Sequence, residues 1–185
     1  EELEECNVCN NKLLNTKVYR DYFNHMFKKD IEKAYSNTSD DGETNLPVVS
    51  FDYRFSNLCN FKCRMCGSML SSQWEAEERK HNFSAVNENL WMQTPIKKQI
   101  EKFTKNVAEK EFSDAIENKV IEEIYWVGGE PLMYEEHWRY MKRLVEIDHA
   151  KHVQARYNTN LSRIKYKNID LFKDLLVHFK NWRVC

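Results

Sequence analysis

Apolar positions along the chain fall into two alternating rhythms. Between residues 16 and 34, Val18, Tyr22, Phe23, Met26, Phe27 and Ile31 recur at helical spacing, which predicts an amphipathic helix. Residues 36–47 follow with Ser, Asn, Asp, Gly and Pro in close succession, the composition of a linker, and set a boundary near residue 46. From residue 48 to 55 the pattern changes to alternation: Val49, Phe51, Tyr53 and Phe55 share one side, and a β-strand is expected. Two helices are expected between there and residue 112. The first opens on a Ser72 to Glu75 capping box, and the second on Thr94 and Pro95, with Ile96, Ile100, Phe103 and Val107 along it.

Strand and helix then alternate. Residues 120–127 read as a strand stopped by Gly128 and Gly129, and 135–147 as a helix with Trp138, Met141, Leu144 and Val145 inward. Residues 152–157 give a third strand, 168–179 a further helix, and 182–185 the start of a fourth strand. Alternation of this kind implies parallel pairing through crossovers. The expected fold is therefore α/β, with residues 1–46 as a helical extension and 47–185 as the main domain.

Composition narrows the class. Of 185 residues, 42% are hydrophobic and 31% charged, enough for one sizeable core, and 28 basic against 29 acidic residues leave a formal charge of -1. Without a basic surface, nucleic acid is not the expected partner. The first residues are acidic and no long apolar run occurs, so a membrane is not expected either and a cytoplasmic location is. The glycosylation-like tripeptides at Asn37, Asn82 and Asn160 carry no weight in that setting. The six histidines, among them His137 and His149, are scattered without partners at ligand spacing and are read as surface or packing residues. Trp74, Trp91, Trp126 and Trp138 are assigned to the core, and the lysines from Lys97 to Lys110 to a solvated helix face.

The cysteines change the picture most. Five of the six, Cys6, Cys9, Cys59, Cys63 and Cys66, lie in two tight groups, which suits metal binding better than long-range disulfides. Cys59, Cys63 and Cys66 can ligate three irons of an iron-sulfur cube and leave the fourth open to a small molecule. A zinc ribbon made from Cys6, Cys9, Cys63 and Cys66 is the rival reading, and it gives Cys59 no duty. After the second strand comes Gly128-Gly129-Glu130-Pro131, where glycine permits close backbone approach to a ligand and a carboxylate can accept from an amine. In α/β architectures, ligands gather at these carboxyl ends of the strands.

The C-x3-C-x2-C spacing, the Gly128 to Pro131 motif and the Asn158-Thr159-Asn160 ending the third strand together resemble the radical S-adenosylmethionine (SAM) superfamily, over about residues 48 to 185. The resemblance implies a partial (β/α) barrel whose [4Fe-4S] cluster, on Cys59, Cys63 and Cys66, cleaves SAM to a 5'-deoxyadenosyl radical that abstracts hydrogen from a substrate. It places Gly128, Gly129, Glu130, Pro131 and Asn160 at the cofactor. Many members carry an aromatic residue against the adenine just before the third cysteine, and here Met65, flexible and apolar, stands in its place. The run from Arg54 to Gly67 is similar to the twitch/SPASM-type subgroup, which implies an auxiliary iron-sulfur cluster at Cys6 and Cys9; a zinc half-site or two unliganded thiols are the alternatives. Relatives often modify peptides or proteins, others act on small molecules, and an electron donor such as flavodoxin or ferredoxin is implied. A non-catalytic iron-sulfur protein remains a further alternative. The chain begins at Glu1 and stops where further strands should follow, so it is expected to be a fragment.

Overall fold

The computed structural model describes residues 19–82 and 89–185. The chain divides into two compact units, Glu1–Leu46 and Pro47–Cys185. In the first, helix α1 (Tyr19–Met26) leads through a tight turn at Lys28–Asp30 into helix α2 (Ile31–Ser36). The expected single helix is therefore broken after Met26. Phe23 and Phe27 stack with ring centroids 6.2 Å apart, and an isolated bridge pairs Thr38 with Thr44.

The second unit is built on four parallel strands, β1 (Ser50–Tyr53), β2 (Glu123–Trp126), β3 (Gln154–Tyr157) and β6 (Asn181–Val184), hydrogen-bonded in the order β1-β2-β3-β6. Between β1 and β2 run α3 (Ser72–His81), α4 (Thr94–Phe103) and α5 (Glu109–Glu117), the last two joined by a wide π-type turn at Thr104–Ala108. Helix α6 (Glu135–Glu146) links β2 to β3. Neighbouring strands thus follow one another in sequence, as crossover-linked parallel strands do.

The last crossover departs from the expected helix at 168–179. A short hairpin takes its start, β4 (Lys165–Tyr166) against β5 (Ile169–Asp170), turning through Lys167 at φ 52°. The Asp170 carboxylate then accepts from the amides of Phe172 and Lys173, so coiling begins only at Leu171 and ends in a π turn and a tight turn by His178. The apolar periodicity was a true sign of burial, since Leu171, Leu175 and Leu176 are at most 2% exposed. It was also a sign of helical turns, which run over residues 171–178 in π and tighter form rather than as one regular α-helix.

Strand alternation sorts the side chains. Phe51, Tyr53, Ile124, Trp126, Ala155 and Tyr157 join the core with Phe112, Met141 and Leu144 from the helices. Aromatic edges fill it: the Tyr53 and Trp126 centroids are 4.7 Å apart, those of Phe51 and Phe112 5.1 Å. Burial of each large side chain stabilises the fold by about 2 kcal/mol. Of the four tryptophans assigned to the core, only Trp126 and Trp138 are buried; Trp91 is 60% exposed and Trp74 is half-buried beside the cysteine loop. His137 and His149 are packing residues. Burial drives the His137 pKa down to about 3, so the ring is neutral as it meets the Tyr157 hydroxyl at 2.9 Å. Among the described residues, no helix is long and apolar enough to cross a membrane.

Candidate active site

The loops after β1, β2 and β3 leave the same end of the sheet, because the strands are parallel and in register. The β1 loop, residues 54–71, carries Cys59, Cys63 and Cys66. Helix α3 clamps it. The Ser71 hydroxyl accepts from the Trp74 amide at 3.3 Å as the N-cap and donates to the Phe61 carbonyl at 2.7 Å. The cap was expected one residue later, at Ser72. That hydroxyl is engaged with the Cys59 peptide instead, accepting from its amide and donating to its carbonyl, both at 3.1 Å. The Trp74 indole donates to the Cys63 carbonyl at 3.0 Å.

Below the loop lies a buried carboxylate. Glu75 accepts from Asn57 (2.6 Å), Lys97 (2.6 Å) and Arg79 (2.9 and 3.0 Å), while Asn57 also donates to the Ser68 carbonyl at 2.8 Å. Lys97 therefore leaves the solvated face on which the lysine run had placed it. Burial works against the Glu75 charge, but the bonds from Lys97, Asn57 and Arg79 outweigh it and hold the carboxyl below its ordinary 4.5. A depressed folded pKa contributes stability that is present above the unfolded value and lost as pH falls through the folded one. The melting temperature of the parent is accordingly expected to drop more steeply below about pH 4 than that of Glu75→Gln. Parallel melting curves from pH 7 to 3 would exclude this role.

The thiols differ in setting. Cys59 is buried and accepts from the Phe61 amide at 3.4 Å, Cys66 is partly covered, and Cys63 is open. Burial, then the nearby Cys63 and Cys59, push the Cys66 thiol up, so the three sulfurs share one electrostatic neighbourhood. Met65, at the loop tip, is 93% exposed. Cys6 and Cys9 lie outside the described residues. Beside the loop opens a cavity of about 380 Å³, walled by Phe55, Met69, Leu70, Trp91 and Ile100.

The β2 loop is pressed onto the cysteine loop. Gly128 has φ 110°, a conformation that suits glycine, and a Cβ on Gly129 would sit 2.2 Å from the Leu58 carbonyl oxygen. Close approach is thus required here between backbone and backbone, where the sequence suggested backbone and ligand. The Glu130 amide donates to the Leu58 carbonyl at 2.7 Å, and the Gly129 amide to the Ser56 carbonyl at 3.1 Å and the Tyr134 hydroxyl at 2.9 Å. Tyr134 donates in turn to the Ser56 carbonyl at 2.7 Å.

Glu130 is 1% exposed. Its Oε1 accepts from the Leu132 amide (3.0 Å) and the Thr159 hydroxyl (2.5 Å), and its Oε2 from the Asn160 amide (2.7 Å). The first bond caps the turn Pro131–Met133, and the other two hold the loop after β3. Asn160 then reaches back: its side-chain amide donates to Asn60 Oδ1 at 3.1 Å, which also accepts from the Ser162 hydroxyl at 3.2 Å. The three loops form a closed ring of hydrogen bonds. Sequence reasoning read Ser72 only as a helix cap and gave Asn60, Tyr134 and Thr159 no role of their own. Asn60 and Thr159 lay within or beside the quoted motifs, and that adjacency was the one signal available.

A family model for the radical SAM superfamily matches residues 53–179 of the chain. The chain belongs to the radical SAM superfamily. No curated protein and no solved structure matches it. The match spans all three loops, and the superfamily binds a [4Fe-4S] cluster and SAM. For such a cluster the donor set fits in kind: three soft thiols on one loop whose backbone is tied down at Cys59 and Cys63. Among the described residues, no three His, Cys, Asp or Glu side chains are already gathered as a metal cage.

Proposed function

We propose that this radical SAM chain is the cofactor-binding part of an enzyme, with Cys59, Cys63 and Cys66 holding the cluster. The observation that carries this reading is Glu130, a buried carboxylate at the strand ends with an acceptor site to spare. A carboxylate offers about four lone-pair sites. Three are filled, two on Oε1 and one on Oε2, so Oε2 can accept from the amine of SAM. Gly128, Gly129 and Pro131 fix the turn that presents it, Asn160 closes the far side, and Met65 is open at the loop tip to lie against the adenine.

When bound, the cluster and SAM together supply a 5'-deoxyadenosyl radical able to abstract hydrogen. The chain itself orients the cofactor and restricts access of water. The parallel strands in sequential order support an arc of a partial barrel. A twitch/SPASM-type protein with an auxiliary cluster at Cys6 and Cys9, a peptide substrate, a flavodoxin or ferredoxin donor and a cytoplasmic setting complete the proposal. The cytoplasmic setting rests on the lack of a long apolar run in the sequence, and the others rest on the sequence resemblance.

After anaerobic reconstitution, about four iron and four sulfide per chain are expected at the Cys59 site, and both should be lost from it when Cys59, Cys63 or Cys66 is changed to Ala. Adding SAM should then change the electron paramagnetic resonance signal of the reduced cluster. Stoichiometric zinc without iron, or a signal indifferent to SAM, would overturn the assignment.

A further inference from the structure

Parallel sheets are ordinarily covered on both faces, and their strands then read as continuous apolar runs. This sheet does not. Opposite its apolar face it presents Ser50 and Asp52 on β1, Glu123 and Tyr125 on β2, Gln154 and Arg156 on β3, and Asn181 and Arg183 on β6. Such a face suits water and polar ligands.

Its charges nearly cancel, with one left over. Asp52 is held by two bonds from Arg54 at 2.9 and 2.7 Å. Glu123, 1% exposed, accepts from the Ser50 hydroxyl at 2.5 Å and from Arg156 at 2.7 Å. The Arg156 guanidinium also lies 4.5 Å from the centre of the Tyr125 ring. Both carboxylates of the face are therefore taken. Arg183 sits in register with Arg156 on the neighbouring strand, roughly 4.8 Å away at the backbone. Among the described residues, the Arg183 side chain has neither an ion pair nor a hydrogen bond. Glu123 already answers the charge of Arg156, so the charge that a bound anion would answer is that of Arg183.

We infer that this face binds a carboxylate group of the substrate, gripped by Arg183 beside an Arg156 that Glu123 and Tyr125 hold rigid. A guanidinium group matches a carboxylate through its planar, forked donors, a geometry lysine lacks. The row Asp52, Tyr125, Arg156 and Arg183 lies one residue below the last residue of each strand. The bound group thus sits roughly 3 Å along the strands from the ends that carry the Cys59 and Glu130 loops. The inference rests on the radical SAM reading for its meaning but not for its chemistry.

The test uses the reconstituted chain, with benzoate as probe and benzamide as its uncharged isostere, titrated at low salt by nuclear magnetic resonance. Benzoate should bind at least about tenfold more tightly than benzamide. In Arg183→Gln the preference should fall to about twofold or less, with the SAM-induced resonance change appearing at the same SAM concentration as in the parent. Equal affinity for the two probes in the parent, or a preference that survives in Arg183→Gln, would overturn the inference. A variant needing more SAM would also overturn it, because Arg183 would then serve the carboxylate of SAM. A parent that prefers benzoate yet ignores SAM would instead defeat the cofactor reading and leave the anion site standing.

Discussion

Gly129→Ala is expected to unseat the cysteine loop and abolish cluster assembly, although it touches no ligand. The added methyl would meet the Leu58 carbonyl oxygen at 2.2 Å and the carbonyl carbons of Asn57 and Leu58 at 2.7 Å. None of these is the free end of a side chain that could swing away. The loop must shift one residue before Cys59, and the bonds from Gly129 to Ser56 and from Glu130 to Leu58 stretch with it. Overpacking of this kind costs about 3 kcal/mol. For a unit of this size that lowers the melting temperature by roughly 10 °C. Gly67→Ala is the control: it lies on the same loop, with nothing within 4 Å of the added atom, and should melt and bind iron as the parent does. If Gly129→Ala matched that control in iron content and melting, the loops would not be packed as described.

Glu130→Ala should cost nearly as much by the opposite route, since it removes an acceptor and leaves donors stranded. The Leu132 amide, the Thr159 hydroxyl and the Asn160 amide all end on this buried carboxylate. A buried donor left without a partner costs about 1–3 kcal/mol. Water entering the gap would recover part of this, so a total loss of roughly 3 kcal/mol is expected. Glu130→Gln should fall between parent and alanine, because its one oxygen can still accept from Leu132 and Thr159 while its amide nitrogen faces the Asn160 donor. Hydrogen exchange locates the damage: the Asn160 amide should lose protection in both variants, and the Leu132 amide only in Glu130→Ala. Unchanged protection at Asn160 would remove Glu130 from the bridge between the loops.

What could be read from the sequence was whatever depends on near neighbours. Alternation placed the four strands within a few residues, and Gly128-Gly129 marked where β2 stops, because both signals are written in consecutive positions. The cysteine spacing gave the candidate ligands for the same reason. Tertiary partners were not legible. Ser71 and Ser72 are equally good caps in isolation, and only the position of the Cys59 peptide assigns them their separate duties. Lys97 looked like one lysine among several until Glu75, 22 residues earlier, proved to be its partner. Glu130 was legible as a carboxylate at a strand end, but its hold on the loop after β3 follows from sheet register. The hairpin before Leu171 was hidden because its apolar residues repeat at a spacing that turns and helices share.

The closed ring of loops also has a thermodynamic side. Each loop is fastened to both others: Leu58 to Glu130, Glu130 to Thr159 and Asn160, Asn160 to Asn60. A ligand that orders one loop lowers the entropy still to be lost when a second ligand orders another, and this produces cooperativity without any change of shape. Linkage makes that cooperativity mutual, so metal bound at the cysteines must tighten what binds at Glu130 by the same factor that the second ligand tightens the metal. Asn60→Ala, which opens the ring without touching either ligand, should leave each affinity measured alone nearly intact and weaken their dependence on one another.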